Sequence, residues 1–210
     1  SVFLFSSEIK SIIRYPGFDK KINHEAMYDY FLYQYIPDST SIFKEINQIP
    51  PGHYMIFKDN KIKLLKYWQI ENDQSNILNE DDYKEELRYL LFDSTKIRMI
   101  SDVPYGVFLS GGTDSSIITA LMSDISSSRI KTFSLSGGEG AFNELEYARI
   151  VSERNNTIHR DFHIQDLDLI SLLEELGKKI DQPFGDSSII PTYLISKYAK
   201  KEVTVALSGE

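Results

Sequence analysis

One stretch, Val103 to Leu121, constrains the fold more than any other: Val-Pro-Tyr-Gly-Val-Phe-Leu-Ser-Gly-Gly-Thr-Asp-Ser-Ser-Ile-Ile-Thr-Ala-Leu. Val107, Phe108 and Leu109 form a short apolar run of the kind that fills a buried parallel strand. Ser110, Gly111 and Gly112 break that run. Asp114, Ser115 and Ser116 are then good helix-starting residues ahead of the apolar Ile117, Ile118 and Leu121. Strand, glycine-rich turn and helix N-terminus in succession make an anion site. The first N–H groups of a helix have no helical carbonyl to meet, and the helix dipole favours negative charge beside them. The two glycines let the backbone approach a phosphate and turn without a Cβ penalty.

The loop's composition narrows the ligand. A Walker A loop ends in Gly-Lys-Ser/Thr, and no lysine is present here. The Gly-x-Gly-x-x-Gly spacing of dinucleotide folds is absent too. Asp114 would repel a bare phosphate but suits a magnesium ion riding on one. Ser-Gly-Gly-x-Asp-Ser after a strand resembles the pyrophosphate loop of the ATP pyrophosphatases. The resemblance implies that the loop holds the departing pyrophosphate while the α-phosphate is attacked and an acyl-adenylate forms. The bland alternative is an ordinary strand–helix turn of small residues.

With 210 residues the chain has room for one large domain or two small ones. Its net charge of −8 argues against a nucleic-acid partner held by a basic face. No apolar run approaches the roughly 20 residues of a membrane span, and no signal-peptide pattern opens the chain. There is no cysteine, which excludes a disulfide, a thiol nucleophile and a cysteine metal site in this chain and fits a cytoplasmic setting. Both ends read as cut. Ser1 is no initiator methionine, Val2 to Phe5 reads as a strand already under way, and the Val203–Leu207 strand pattern has no helix after Ser208-Gly209-Glu210. An internal piece of a longer protein is the expectation.

Taken in order, residues 1–70 have a mixed texture. A short capped helix is expected from Ser6 to Ile13, ending near Pro16-Gly17. A second helix runs from His24 to Tyr35, with Tyr28, Phe31, Leu32 and Tyr35 at helical spacing. Strands at His53–Phe57 and Ile62–Trp68 flank a hairpin tip at Asp59-Asn60. Residues 71–80 are polar and aperiodic, the best candidate for a linker. A long helix begins at Asp81, with Tyr83, Leu87, Leu90, Leu91 and Ser94 on one face. Beyond the central loop, strands at Ile130–Leu135, Thr157–Ile164 and Val203–Leu207 alternate with helices at Asn143–Glu153, Leu167–Lys178 and Pro191–Lys200. That alternation predicts an α/β fold with a doubly wound parallel sheet. Ligands in such sheets sit at the carboxyl ends of the strands. Three of those ends carry Ser-Gly-Gly-Thr-Asp, Leu-Ser-Gly-Gly and Leu-Ser-Gly-Glu, so one site built from three strands is expected.

At this point a specific family resemblance emerges. Ser101 to Ser116, Asn143-Glu144 with Tyr147-Ala148, the Asp181-to-Tyr193 segment and Val205 to Glu210 resemble the synthetase domain of glutamine-hydrolysing asparagine synthetases. Residues 1–70 look like the last third of the glutaminase domain of that family, including Phe5 to Lys10 and Pro50 to His53. The resemblance implies three regions: 1–70 from the α+β amidotransferase of N-terminal-nucleophile type, 71–80 as linker, and 81–210 from the ATP-pyrophosphatase synthetase domain.

Residue by residue, the resemblance implies that Ser110, Gly111, Gly112, Asp114 and Ser115 hold pyrophosphate, with Asp114 on Mg2+. It places Leu109 and Leu135 against the adenosine, Ser208 and Gly209 on the nucleotide through their backbone, and Glu210 as the essential glutamate beside a β-aspartyl-adenylate. Plain core is the other reading of both leucines, and a capping glutamate the other reading of Glu210. The implied partners are small molecules (ATP, aspartate or a similar acid, ammonia from glutamine), with no nucleic acid, no membrane and a homodimer as an option. The family's nucleophile is an N-terminal cysteine, which this chain lacks. In the family the second magnesium aspartate and the phosphate-binding lysine lie beyond the position where this chain ends, so the resemblance implies that these residues alone do not complete the reaction. A nucleotide-binding module without turnover remains the alternative of different class. Relatives that act on polysaccharide precursors or close β-lactam rings leave the acceptor open.

Overall fold

The computed structural model describes residues 2–37, 39–71, 79–136, 144–164 and 168–209. Two spatial units emerge, residues 1–74 with 168–187, and residues 75–167 with 188–210. In the first, α1 (Ile9–Ile12) and α2 (His24–Tyr33) precede a hairpin of β1 (His53–Lys58) and β2 (Lys61–Lys66). Asn23 caps α2 by accepting from the N–H groups of Glu25 and Ala26. Asp59 and Asn60 both take positive φ, 50° and 57°, which is the backbone of a two-residue hairpin turn and explains why these two residue types occupy the tip. Val2 to Phe5, expected as a strand, forms none. A strand exists by virtue of a ladder partner, and here Phe3 instead stacks on Phe57 with ring centroids 4.2 Å apart.

The second unit begins with α3 (Glu80–Arg98), capped by Asn79 and carrying three acidic residues in its first turn. The chain then alternates through β3 (Tyr105–Phe108), α4 (Thr113–Ile125), β4 (Lys131–Ser136), α5 (Glu144–Arg154) and β5 (Ile158–His163). After an excursion containing α6 (Leu169–Gly177), it closes with α7 (Ile189–Ala199) and β6 (Val205–Leu207). The sheet order is β5-β4-β3-β6, all parallel, so the winding proceeds one way from β3 and then reverses. Alternate side chains serve opposite faces. Val107 and Leu207 pack with Met99, Met122 and Ile130, against α3 and α4. Phe133 packs on the other face with Ala199 and Val203, beside α7. Helices on both faces make the sheet doubly wound, as the alternation predicted. No described helix is long and apolar enough to cross a membrane.

The excursion packs within the first unit. Its Asp181 carboxylate accepts from the N–H of Ile9 at 2.7 Å and of Lys10 at 3.3 Å, capping a helix whose own N-cap, Glu8, contributes no side-chain bond. Gln182 Oε1 accepts from the Ile42 N–H at 3.1 Å, and Gly185 N–H donates to the Gln34 carbonyl at 2.8 Å.

Candidate functional site

In a parallel sheet the crevice opens where the winding reverses, here between the carboxyl ends of β3 and β6. The loop leaving β3 turns at Gly111, whose φ of 88° lies in the left-handed region that glycine adopts without strain. Gly112, at φ −69° and ψ 166°, is the N-cap of α4. Of the two glycines, only Gly111 uses the conformational freedom expected of both.

A glycine at the N-cap carries no side chain to cap the helix, and among the described residues no side-chain oxygen caps the first-turn N–H groups of α4 in its place. Ser115 and Ser116 do not cap either. They sit inside the first turn, and their hydroxyls donate back to the Gly112 carbonyl at 3.2 and 2.6 Å. Ser110 Oγ lies 3.0 Å from Ser115 Oγ and accepts from the Gly112 N–H at 3.3 Å. The loop is therefore braced from within by hydroxyls while its helix N-terminus stays open to an anion.

Asp114 stands exposed in that first turn. No group of three or more His, Cys, Asp or Glu side chains among the described residues forms a ready metal cage. A single carboxylate suits Mg2+, which keeps most of its shell for water and phosphate oxygens. From the other side of the crevice Ser208 is exposed, and Gly209 lies directly on the backbone of Asp114 and Ser115. Leu109 is buried at 1% exposure, and its amide donates to the Phe133 carbonyl at 2.8 Å. Its side chain thus belongs to the core here, whereas Leu135 is half-buried. The structure brings Ser110, Gly111, Gly112, Asp114, Ser115, Ser208 and Gly209 together. Glu210 and the Gly137-Gly138 turn after β4 lie outside the described residues.

One participant escaped the sequence reading. Ser134, 2% exposed on β4, donates its hydroxyl to the Leu109 carbonyl at the root of the loop. The alternation Thr132, Ser134, Ser136 shows hydroxyls on one face of the strand, opposite Lys131, Phe133 and Leu135, but does not reveal which carbonyl Ser134 meets.

The family model described as asparagine synthase matches residues 86–210, and that described as glutamine amidotransferase domain matches residues 1–68. The chain is 39% identical over 99% of its length to a Methanocaldococcus jannaschii protein named "putative asparagine synthetase 2, glutamine-hydrolyzing", covering 41% of that relative. To the glutamine-hydrolyzing asparagine synthetase 1 of Bacillus subtilis it is 33% identical over 98% of its length, covering 32%. It thus spans about a third to two fifths of these relatives. Among solved structures, the NH3-dependent NAD synthetase of Campylobacter jejuni matches with a TM-score of 0.42 and 13% identity, over 60% of this chain and 56% of that one.

Proposed function

We propose, because this chain belongs to the asparagine synthase family, that it carries the nucleotide site of an ATP-dependent, amide-forming ligase. A substrate carboxylate attacks the α-phosphorus of ATP, the bond to pyrophosphate breaks, and an acyl-adenylate results. Ammonia drawn from glutamine then attacks the acyl carbon, and AMP leaves as the amide forms. Aspartate is the acceptor we infer, giving asparagine through β-aspartyl-AMP. Residues 1–70 would belong to the glutamine-hydrolysing region, 71–80 to a connecting segment and 81–210 to the synthetase region.

In this reading the open N-terminus of α4, with Ser110, Gly111, Gly112 and Ser115, receives the β- and γ-phosphates and then the departing pyrophosphate. Ser208 and Gly209 border the nucleotide through their backbone, with Leu135 against the adenosine; Leu109 shapes that wall through its main chain. Asp114 would hold Mg2+, which neutralises phosphate charge when bound. Glu210 would take the proton released as nitrogen bonds to the acyl carbon.

The observation that carries this reading is the uncapped helix at the switch point of the sheet, closed on its far side by Gly209. Titration of the purified chain with Mg-ATP by calorimetry tests it: saturable one-site binding is expected, and absence of binding would remove the nucleotide role. In the longer protein, Glu210→Gln should retain ATP binding and lose most ammonia-dependent release of AMP and amide. Near-normal turnover would leave Glu210 a helix-capping role only.

A further inference from the structure

The hydroxyl of Ser134 occupies a position that the ladder between β3 and β4 would otherwise give to a backbone donor. Pairing runs in register through Phe108 and Phe133, and the Leu109 amide still donates to the Phe133 carbonyl at 2.8 Å. At the Leu109 carbonyl the ladder changes character, because the Ser134 side chain supplies the donor. Both polar groups of Leu109 are therefore tied to β4. The peptide joining Leu109 to Ser110 is trans. In a trans peptide the C=O and the following N–H point in opposite directions. With the Leu109 carbonyl held toward β4, the Ser110 N–H points away from β4, toward the side of β3 on which β6 lies. That side is the crevice of the candidate site.

We infer that Ser134 is a positioning residue for anion binding: by fixing the Leu109 carbonyl it aims the Ser110 N–H into the crevice as a preset donor to the pyrophosphate group. This rests on the nucleotide reading above and deepens it. Without the hydroxyl, a carbonyl buried beside a residue of 2% exposure lacks its donor, and rotation of the 109–110 peptide becomes the way to regain one. Such a rotation would carry the Ser110 N–H out of the site. Ser134 never touches the ligand, and its effect passes through one peptide plane. An anion held by several N–H groups loses about ten- to hundredfold in affinity when one charge-assisted donor is withdrawn.

The test is calorimetric titration of the chain with inorganic pyrophosphate and Mg2+, in the wild type, Ser134→Ala and Ser134→Thr, together with the amide resonance of Ser110 in the wild type. The expected results are weaker pyrophosphate binding by about tenfold or more in Ser134→Ala, near wild-type binding in Ser134→Thr, and a downfield shift of the Ser110 amide proton on saturation. A purely structural role would lower the melting temperature of Ser134→Ala and leave its pyrophosphate affinity unchanged. Wild-type binding with equal affinity in Ser134→Ala, or a Ser110 amide that does not move on saturation, overturns this inference and leaves the nucleotide reading standing. A wild-type chain that binds neither pyrophosphate nor Mg-ATP overturns both. Should Ser134→Ala fail to fold, the Ser110 amide shift in the wild type decides alone.

Discussion

Gly209 rests against the backbone of Ser115 so closely that a methyl group has no room between them: a Cβ there would lie 2.6 Å from the Asp114 carbonyl carbon and 2.8 Å from Ser115 Cα. The end of β6 and the first turn of α4 are thus wedged together by the absence of a side chain. The atoms in the way belong to the main chain, so relief requires moving the loop or the helix itself. Gly209→Ala should therefore fold, at a cost of about 1–3 kcal/mol in stability, and should lose at least tenfold in Mg-ATP affinity. Affinity and melting temperature both unchanged would mean that the two elements are not held together as described.

Asp114 lies at the positive end of α4, where a carboxylate stabilises the helix by about 0.3–1 kcal/mol whatever else it does. Asp114→Asn separates that contribution from a metal role. If Asp114 holds Mg2+, the variant should bind Mg-ATP at least tenfold more weakly while its affinity for ATP without metal stays equal or improves, since a negative charge has been removed. Equal weakening with and without Mg2+ would remove the metal role.

Much of this arrangement is legible in the sequence, and the exceptions have physical causes. The order of strands and helices from Tyr105 onward follows from alternating apolar runs and amphipathic stretches, which favour a parallel sheet with helical crossovers. Val2 to Phe5 has the composition of a strand and forms none, because composition cannot supply a ladder partner. The stripes of α2 and α3 show a second limit. Tyr28, Phe31 and Leu32 are 68%, 75% and 58% exposed, and Tyr83, Leu87 and Leu90 are 50%, 56% and 50% exposed. Spacing reveals that a stripe exists, while burial depends on what lies across from it. In α3 the side chain that is buried is Thr95. The loop residues of the site were readable because glycine, serine and aspartate each have few reasons to cluster after a strand. Ser134 was not, since its role depends on which carbonyl happens to lie above it.

Asp181 makes α1 depend on a segment more than 160 residues away in sequence, since the two are separated by 172 positions. Removing both caps with Asp181→Ala should cost about 1–2 kcal/mol in the first unit. Asp181→Asn keeps an oxygen acceptor and should lose less than half of that. Amide hydrogen exchange at Ile9 and Lys10 checks this, with faster exchange expected in the alanine variant. Unchanged protection there would place the stability of α1 elsewhere.

His159 offers a pH dependence whose sign follows from its neighbours. Its Nδ1 lies 2.8 Å from Thr132 Oγ1, and Thr132 is linked through Thr157 to Ser152 in a buried chain of hydroxyls. Its Nε2 approaches Asp161 Oδ1 at 2.6 Å, but the alignment falls short of a hydrogen bond. The other oxygen of Asp161 is held by Arg149 at 2.7 and 2.6 Å, so much of the carboxylate's charge is already answered. Burial pushes the His159 pKa below its ordinary 6.5; Asp161 opposes that shift, and the Arg149 charge adds to it. The unfolded chain therefore takes up a proton on this histidine at a higher pH than the folded one does. The stabilising contribution is complete above about pH 6.5 and is lost as pH falls through the lower, folded-state value. Stability should decline on acidification from about pH 6.5 down to the folded-state value, with a slope of up to about 1.4 kcal/mol per pH unit from this group, and level off below it. His159→Gln keeps a polar side chain without titrating, and should flatten this part of the profile. Chemical denaturation at a series of pH values from 5 to 8 checks it; a slope in His159→Gln equal to the wild type would assign the acid sensitivity to other groups.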